Sequence, residues 1–292
     1  MDPGSVSVHR CHSPEWGISY DWMTALSRGC SQTVTRSSMS MITPSSKERS
    51  MSRFPDGLYL VTGASGGIGA ATVRRLVAEG VRVAASGRDH TKLKELAAET
   101  GCEALPFDLL DEESIRGAVS GRDWFGIVNC GGDGGEIATP MDTDISVFDR
   151  VIAVNARGAL LVIKYATPAM IEAGRGGSIV NVSSQASLVA LEGHISYGSS
   201  KAALDNITRV SALELGKYGI RVNSVNPTVI MTPMSEWYWG RPEIGGAYLE
   251  QMPMHKWATI EDVAGPIAFL LSDDAAMISG ISLPIDGGFT AR

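Results

Sequence analysis

The chain has 292 residues, 44% hydrophobic and 20% charged, a composition that excludes a wholly disordered or fibrous protein. Its formal net charge of −7 argues against nucleic acid or an anionic membrane as partner. No apolar run reaches the roughly 18 residues that a membrane-spanning helix needs.

Cys11, Cys30, Cys102 and Cys130 form no Cys-x-x-Cys pair or metal-like cluster, so they read as free thiols in a reducing compartment, and no metal site is expected. Residues 1–50 are rich in Ser, Thr and Met and show no sustained period. They read as a disordered extension, dispensable to the rest of the chain. A transit peptide, or translation beginning at Met51, are the alternatives. Residues 51–292 then form one domain of ordinary size.

From Leu58 the pattern becomes strand, turn, helix. Leu58–Val61 is a buried-strand run, followed by Thr62-Gly-Ala-Ser-Gly-Gly-Ile-Gly69 and a helix over Ala70–Glu79 that stops at Gly80. A glycine-rich turn between strand and helix lets backbone approach a pyrophosphate, and the helix N-terminus adds oriented N–H groups. The next strand, Arg82–Ser86, ends in Ser86-Gly87-Arg88. An acidic residue there would bond a ribose 2′-hydroxyl, whereas the planar fork of Arg88 suits a 2′-phosphate. This points to NADP(H) over NAD, with Asp89 one place late for the ribose and a plain surface role for Arg88 as the alternative.

A helix over Thr91–Thr100 precedes a strand over Ala104–Phe107 that ends in Asp108-Leu109. Asp108 either accepts from an adenine amino group or caps the acidic turn Asp111–Glu113. The strand Gly126–Cys130 runs into Gly131-Gly132, where Asn129 and the glycines let the chain turn close beneath a ribose. A helix around Val147–Ala156 carries Asn155, and a long apolar helix continues to Met170. A lone buried Asn is commonly a core group satisfied by backbone.

Tyr197 and Lys201 stand four residues apart at the start of a long helix-forming run, so they share one helix face a turn apart. A phenol holds its proton to about pH 10. A fixed cation beside it favours the phenolate, which makes such a tyrosine a general acid or base near neutrality. Ser184 ends the strand Ser178–Val182 thirteen residues before Tyr197, where its hydroxyl can hold a substrate oxygen.

Taken in order, Thr62-Gly-x-x-x-Gly-Ile-Gly69, Asp108, Asn129-Cys-Gly-Gly132, Asn155, Ser184, Tyr197 and Lys201 resemble the short-chain dehydrogenase/reductase family over 51–292. The resemblance implies an α/β fold: a single-domain, Rossmann-like, doubly wound parallel sheet. It implies hydride exchange between a nicotinamide and a carbonyl or alcohol carbon. Tyr197 would move the hydroxyl proton, Lys201 would lower the tyrosine pKa and bond the ribose, Ser184 would orient the oxygen, and Asn155 would hold a water. Ser183 is the neighbouring alternative to Ser184. The cofactor contacts implied are Gly63, Ser65, Gly67, Ile68, Gly69, Arg88, Asp108, Leu109, Asn129, Gly131, Tyr197, Lys201, Ile230 and Thr232. The family's Asn-Asn-Ala-Gly turn is Asn129-Cys-Gly-Gly132 here, and its Pro-Gly is Pro227-Thr228. Gly66 stands where NADP-using members often carry a basic residue.

After the strand Arg221–Val225, the segment Met234-Ser-Glu-Trp-Tyr-Trp-Gly-Arg-Pro242 reads as a loop or short helix that covers the substrate, or as ordinary packing. Val182-Ser-Ser-Gln185, His194, Asn226-Pro-Thr-Val229, Trp239 and the ending Leu283–Phe289 are similar to dicarbonyl/L-xylulose reductase-like members. By that resemblance Gln185, His194 and Trp239 line a sugar or diketone pocket; a local structural bond is the alternative for His194. The expected protein is a cytoplasmic NADP(H)-dependent reductase of small-molecule ketones, a homodimer or homotetramer. Its helix Ile260–Leu271 and strand Ile281–Ile285 complete the sheet. An NAD-dependent polyol dehydrogenase and a 3-oxoacyl-carrier-protein reductase are the enzymatic alternatives. A non-catalytic nucleotide-binding or redox-sensing protein is the alternative of another class, against which the complete Ser184, Tyr197 and Lys201 set speaks.

Overall fold

Seven parallel strands lie in the order β3-β2-β1-β4-β5-β6-β7: β1 Leu58–Val61, β2 Arg82–Ala85, β3 Glu103–Ala104, β4 Trp124–Asn129, β5 Gly177–Val182, β6 Ile220–Pro227 and β7 Ser282–Ile285. The computed structural model describes residues 52–232 and 235–291. The expectation for residues 1–50 therefore lies outside the described residues, as do Cys11, Cys30, Pro233 and Met234.

The helices that flank the sheet are α1 Gly67–Ala78, α2 His90–Thr100, α3 Glu112–Val119, α4 Ile145–Ile152, α5 Gly158–Ala173, α6 Ile195–Leu215, α7 Glu236–Trp239, α8 Ala247–Gln251 and α9 Ile260–Leu271. Strands buried on both faces send successive side chains to opposite layers. Tyr59, Val61, Phe125, Val128, Val180 and Val225 pack into one layer with α1, α2 and α9. Leu60, Trp124, Ile127, Ile179 and Val222 pack into the other with α3 and α5. This is the doubly wound architecture expected from the sequence, in a single α/β domain.

The chain leaves β1 in one direction, to β2 and β3, and returns to β4 on its other side. That reversal opens a crevice beyond the carboxyl ends of β1 and β4, where ligands bind in such sheets. Gly63 turns there at φ +66°, and a Cβ on it would lie 2.6 Å from Gly131 N. A Cβ on Gly69 would lie 2.3 Å from Gly63 O, so the turn closes only on glycine.

Three expectations change. The strand over Ala104–Phe107 is only Glu103–Ala104, because Pro106 has no N–H to continue an edge ladder. The acidic turn after Asp108 is the first turn of α3, capped by Asp111, whose carboxylate accepts from the N–H groups of Glu113 and Ser114. The helix carrying Asn155 and the apolar helix after it are one run through a π-helical turn, Ala153–Arg157. The segment after Thr232 contains the short helix α7, one of the two forms expected for it.

Candidate active site

One cavity of ≈ 650 Å³ runs along the carboxyl ends of the strands, from Arg88 at the β2 end to Trp239 on α7. Gly63, Ser65, Gly67, Ile68, Gly69, Arg88, Asp108, Leu109 and Gly131 line its β1–β2 end. Ser184, Gln185, His194, Tyr197, Lys201, Ile230 and Trp239 line the other, and Thr232 lines the cavity above the glycine turn. The structure therefore brings together on one surface most of the residues singled out from the sequence.

The β1–β2 end is built from backbone. Thr62, fully buried, accepts the N–H groups of Cys130 (3.1 Å) and Gly131 (3.2 Å) on its hydroxyl and so locks the β1 turn to the β4 turn. Helix α1 begins at Gly66 with no side-chain cap and no acidic residue in its first turn, which leaves its first N–H groups for an anion. Helix α2 differs: Asp89 Oδ1 accepts from Thr91 N and Lys92 N, both at 3.1 Å. Those bonds, led by the one from Lys92, hold the Asp89 carboxyl below its ordinary pKa. Asp89 does not line the cavity, whereas Arg88, exposed, does. Ser86, at the end of β2, has a buried hydroxyl with no partner among the described residues. Burial pushes the Cys130 thiol up to about 12, against the smaller opposing effect of the Lys201 charge.

Asp108 lines the cavity but is not the cap of α3; its Oδ1 accepts from Leu110 N at 3.0 Å. Asn129 does not line the cavity. Its buried carboxamide points into the sheet and donates to Asn181 Oδ1 at 2.9 Å. Asn155 also sits behind the lining, in the π-helical turn. Its Oδ1 accepts from Asp133 N at 2.7 Å, and its Nδ2 donates to Asp133 O and Ser200 Oγ, both at 2.9 Å.

At the other end Lys201, buried at 4% exposure, stands with Nζ 5.6 Å from the centre of the Tyr197 ring. Its ammonium donates to Val182 O at 2.8 Å. Tyr197 is half-buried and faces the cavity. Ser184 Oγ accepts from Ala186 N at 3.1 Å, which leaves its own proton free to donate. Ser183 is turned away, donating to Lys201 O at 3.2 Å.

The far wall is aromatic. Trp239 stacks on His194 with centroids 5.7 Å apart at 26°, and approaches Tyr248 at 4.7 Å. His194 Nδ1 donates to Glu192 O at 2.7 Å, leaving Nε2 as an acceptor in the neutral ring. Burial lowers the His194 pKa, a shift the Glu192 bond only partly opposes. Gln185 Nε2 donates to Tyr248 OH, which pairs with Thr228 Oγ1 at 2.8 Å. Ile230 O accepts from Ser235 Oγ at 2.5 Å, and a Cβ on Gly67 would meet Thr232 Cγ2 at 3.3 Å, so Thr232 lies over the glycine turn. Sequence reasoning meets Thr228 only as a departure from Pro-Gly and does not reach Tyr248 or Ser235. Thr228 carries the signal that could have found them, since the departure from Pro-Gly supplies a hydroxyl.

A glycine turn at the reversal of a parallel sheet, with a serine, a tyrosine and a lysine around the same cavity, defines an oxidoreductase built to hold a dinucleotide. The chain belongs to the short-chain dehydrogenase/reductase family, whose members use NAD(P). Residues 63–290 match the family model described as enoyl-(acyl carrier protein) reductase. L-xylulose reductase of Bos taurus is 40% identical over 233 residues, 80% of this chain and 96% of that protein. Carbonyl reductase [NADPH] 2 of Sus scrofa is 42% identical over 236 residues, again 80% of this chain and 96% of that one. A short-chain type dehydrogenase/reductase from Mycobacterium ulcerans superimposes with a TM-score of 0.78 at 32% identity, covering 82% of this chain and 91% of that one. Among the described residues no helix is long and apolar enough to cross a membrane.

Proposed function

We propose that the protein is an NADP(H)-dependent reductase of ketones in sugar-like, L-xylulose-type, or α-dicarbonyl substrates. The observation that carries this is the shared cavity: an exposed arginine and a glycine cradle at one end, and Ser184, Tyr197 and an aromatic wall at the other. The names of the Bos taurus and Sus scrofa relatives support the same substrate and cofactor classes.

The residues present fit a dinucleotide. Glycine approaches too close for a Cβ, an uncapped helix start and an unpartnered buried hydroxyl at Ser86 all belong to a site shaped for a ligand's backbone contacts and phosphates. Arg88 would take the 2′-phosphate. The glycine turn and Lys201 would hold a nicotinamide dinucleotide, which when bound would supply a hydride to the carbonyl carbon, or accept one in reverse. Tyr197 gives its phenolic proton to the carbonyl oxygen as the carbon–oxygen double bond becomes single. Ser184 donates a hydrogen bond to the same oxygen. Lys201 has three protons and gives one to Val182 O; the others are available to a ribose.

In this reading Asn155 holds a water beside Lys201. Support comes from Gly132: a Cβ there would lie 3.4 Å from Asn155 Oδ1 and 3.6 Å from Lys201 Nζ, so glycine keeps the space between them open. Gln185, the His194 Nε2 acceptor and the Trp239 indole would meet substrate hydroxyls and a sugar face. Exposed Leu160 on α5 and Val210 and Leu213 on α6 support a homodimer or homotetramer, which size-exclusion chromatography would check; the proposed location is the cytoplasm, which cell fractionation would check.

The test is a side-by-side titration with NADH and NADPH, then turnover of L-xylulose, diacetyl, polyols and acetoacetyl thioesters. Tighter NADPH binding and turnover of xylulose or diacetyl are expected. Preference for NADH with polyols, or for acetoacetyl thioesters, would replace the reading with one of the enzymatic alternatives.

A further inference from the structure

We propose that Asp205 is a positioning residue for the reaction, which holds Ser184 in place relative to Tyr197 through Ser187 and Asn226. The inference rests on the proposed roles of Ser184 and Tyr197.

Tyr197, Lys201 and Asp205 recur at a spacing of four and so form one stripe along α6. The ties from this stripe reach the end of β5, the turn that follows it, and β6. Lys201 holds the carbonyl of Val182. Asp205, 2% exposed, is one turn further on. Its Oδ2 lies 2.5 Å from Ser187 Oγ and accepts from Asn226 Nδ2 at 2.8 Å; its Oδ1 accepts from Ser224 Oγ at 2.8 Å. A carboxyl group this buried is tolerated only where its oxygens are satisfied.

The same two partners converge on Ser184. Ser187 Oγ stands 2.6 Å from Ser184 O and shares its single proton between that carbonyl and Asp205. Asn226 Nδ2 donates to Ser184 O at 3.1 Å. Asp205, Ser187 and Asn226 all lie outside the cavity lining, so any effect on the reaction passes through residues that do line it, Ser184 among them. A buried polar group serving the core alone would not need both donors to meet at the carbonyl of the residue whose hydroxyl faces the substrate. The helix that carries the proton donor thus also carries the group that places the orienting serine. Their separation is set within one rigid element.

Asp205→Asn keeps the shape but replaces one of the two accepting oxygens with an N–H donor, so the set of three donors from Ser187, Asn226 and Ser224 is no longer met as in the wild type. The experiment measures kcat per NADPH-binding site, with sites counted by fluorescence titration of the full-length variant. That normalisation separates misplacement from loss of folded protein, which removes sites without changing turnover at those that remain. The expected result is a fall of about tenfold to a hundredfold in kcat per site, with NADPH affinity within about twofold of wild type, because a small displacement of an orienting group is costly to rate. Should Asp205→Asn fail to fold, Ser187→Ala removes one hydroxyl from the tie and is expected to lower kcat per site in the same direction. Unchanged kcat per site in the folded variant overturns the inference. Tyr197→Phe is run alongside: full turnover in that variant overturns the reading of the site, whereas an inactive Tyr197→Phe beside a fully active Asp205→Asn overturns the positioning role alone.

Discussion

Replacing Arg88 with alanine isolates cofactor choice from every other feature of the cavity. Arg88 is exposed at the end of β2 and makes no hydrogen bond or ion pair among the described residues, so its removal leaves nothing unpaired. A surface substitution of this kind changes stability by about 0.5 kcal/mol at most, or roughly 2 °C in Tm for a domain of this size. Its effect on NADPH comes from the bond it would make. A charge-assisted hydrogen bond contributes about 1.5–3 kcal/mol, and the exposed setting favours the lower part of that range. About 2 kcal/mol is roughly a thirtyfold loss in Kd. NADH has no 2′-phosphate, so its affinity should stay within about twofold of wild type. Fluorescence titration of both nucleotides measures this directly, and raised salt should narrow the NADPH difference. Asp89→Asn serves as the control, since it keeps an acceptor for the α2 cap and should leave both affinities unchanged. Equal losses for NADH and NADPH in Arg88→Ala, or a loss of NADH affinity in Asp89→Asn, would refute the assignment of Arg88 to the 2′-phosphate.

Tyr197→Phe removes the proposed proton donor without touching the glycine turn. Turnover should fall by about a thousandfold or more while NADPH still binds, and retention of more than a tenth of wild-type kcat would remove Tyr197 from the mechanism. Gly69→Ala places a methyl group against the Gly63 carbonyl, a backbone atom that cannot move alone. It should destabilise the domain by about 1–3 kcal/mol in chemical denaturation and abolish tight NADPH binding; unchanged values would show that the turn relaxes freely. Burial lowers the His194 pKa in the folded chain. The unfolded chain therefore takes up that proton first, near pH 6.5, so the stability contribution is complete above that value and is lost as pH falls through the lower folded one. Melting scans from pH 7.5 to 5 should show a steeper decline for wild type than for His194→Leu, and parallel curves would contradict the assignment.

What can be read from the sequence is what a local pattern encodes. The β1 turn and α1 are legible because hydrophobic period and glycine spacing act within a dozen residues, and α9 coincides with its expected bounds, Ile260–Leu271, behind a Thr259–Asp262 capping box. Helix α3 escapes such reading because Glu112, Glu113 and Arg116 dominate its eight residues, while only Ile115 and Val119 are buried. Asn129 illustrates a different limit. Its type and position suit a ribose-binding turn, but the direction of its side chain is decided by Asn181, a neighbour across the β4–β5 pairing. The bonds of Gln185 to Tyr248 and of Asp205 to Asn226 likewise join segments far apart in the chain. No spacing rule marks them, since each exists only once the sheet has brought its strands into register.

Helix starts show how stability and function divide within this fold. Asp89, Asp111, Asp144 and Thr259 each cap a helix with a side-chain oxygen, a contact that typically strengthens a helix terminus. Helix α1 has no such cap and starts from Gly66 at the crevice where the sheet order reverses. A side-chain cap there would satisfy the same N–H groups that a phosphate would use, and an acidic one would repel the anion. The missing cap leaves those N–H groups open, at a cost to the free protein that an anion bound there would offset. It also explains why the glycine turn is pinned so firmly from behind by the Thr62 hydroxyl. With no cap to define the entry of the chain into α1, the geometry of the turn has to be set by its contacts with β4.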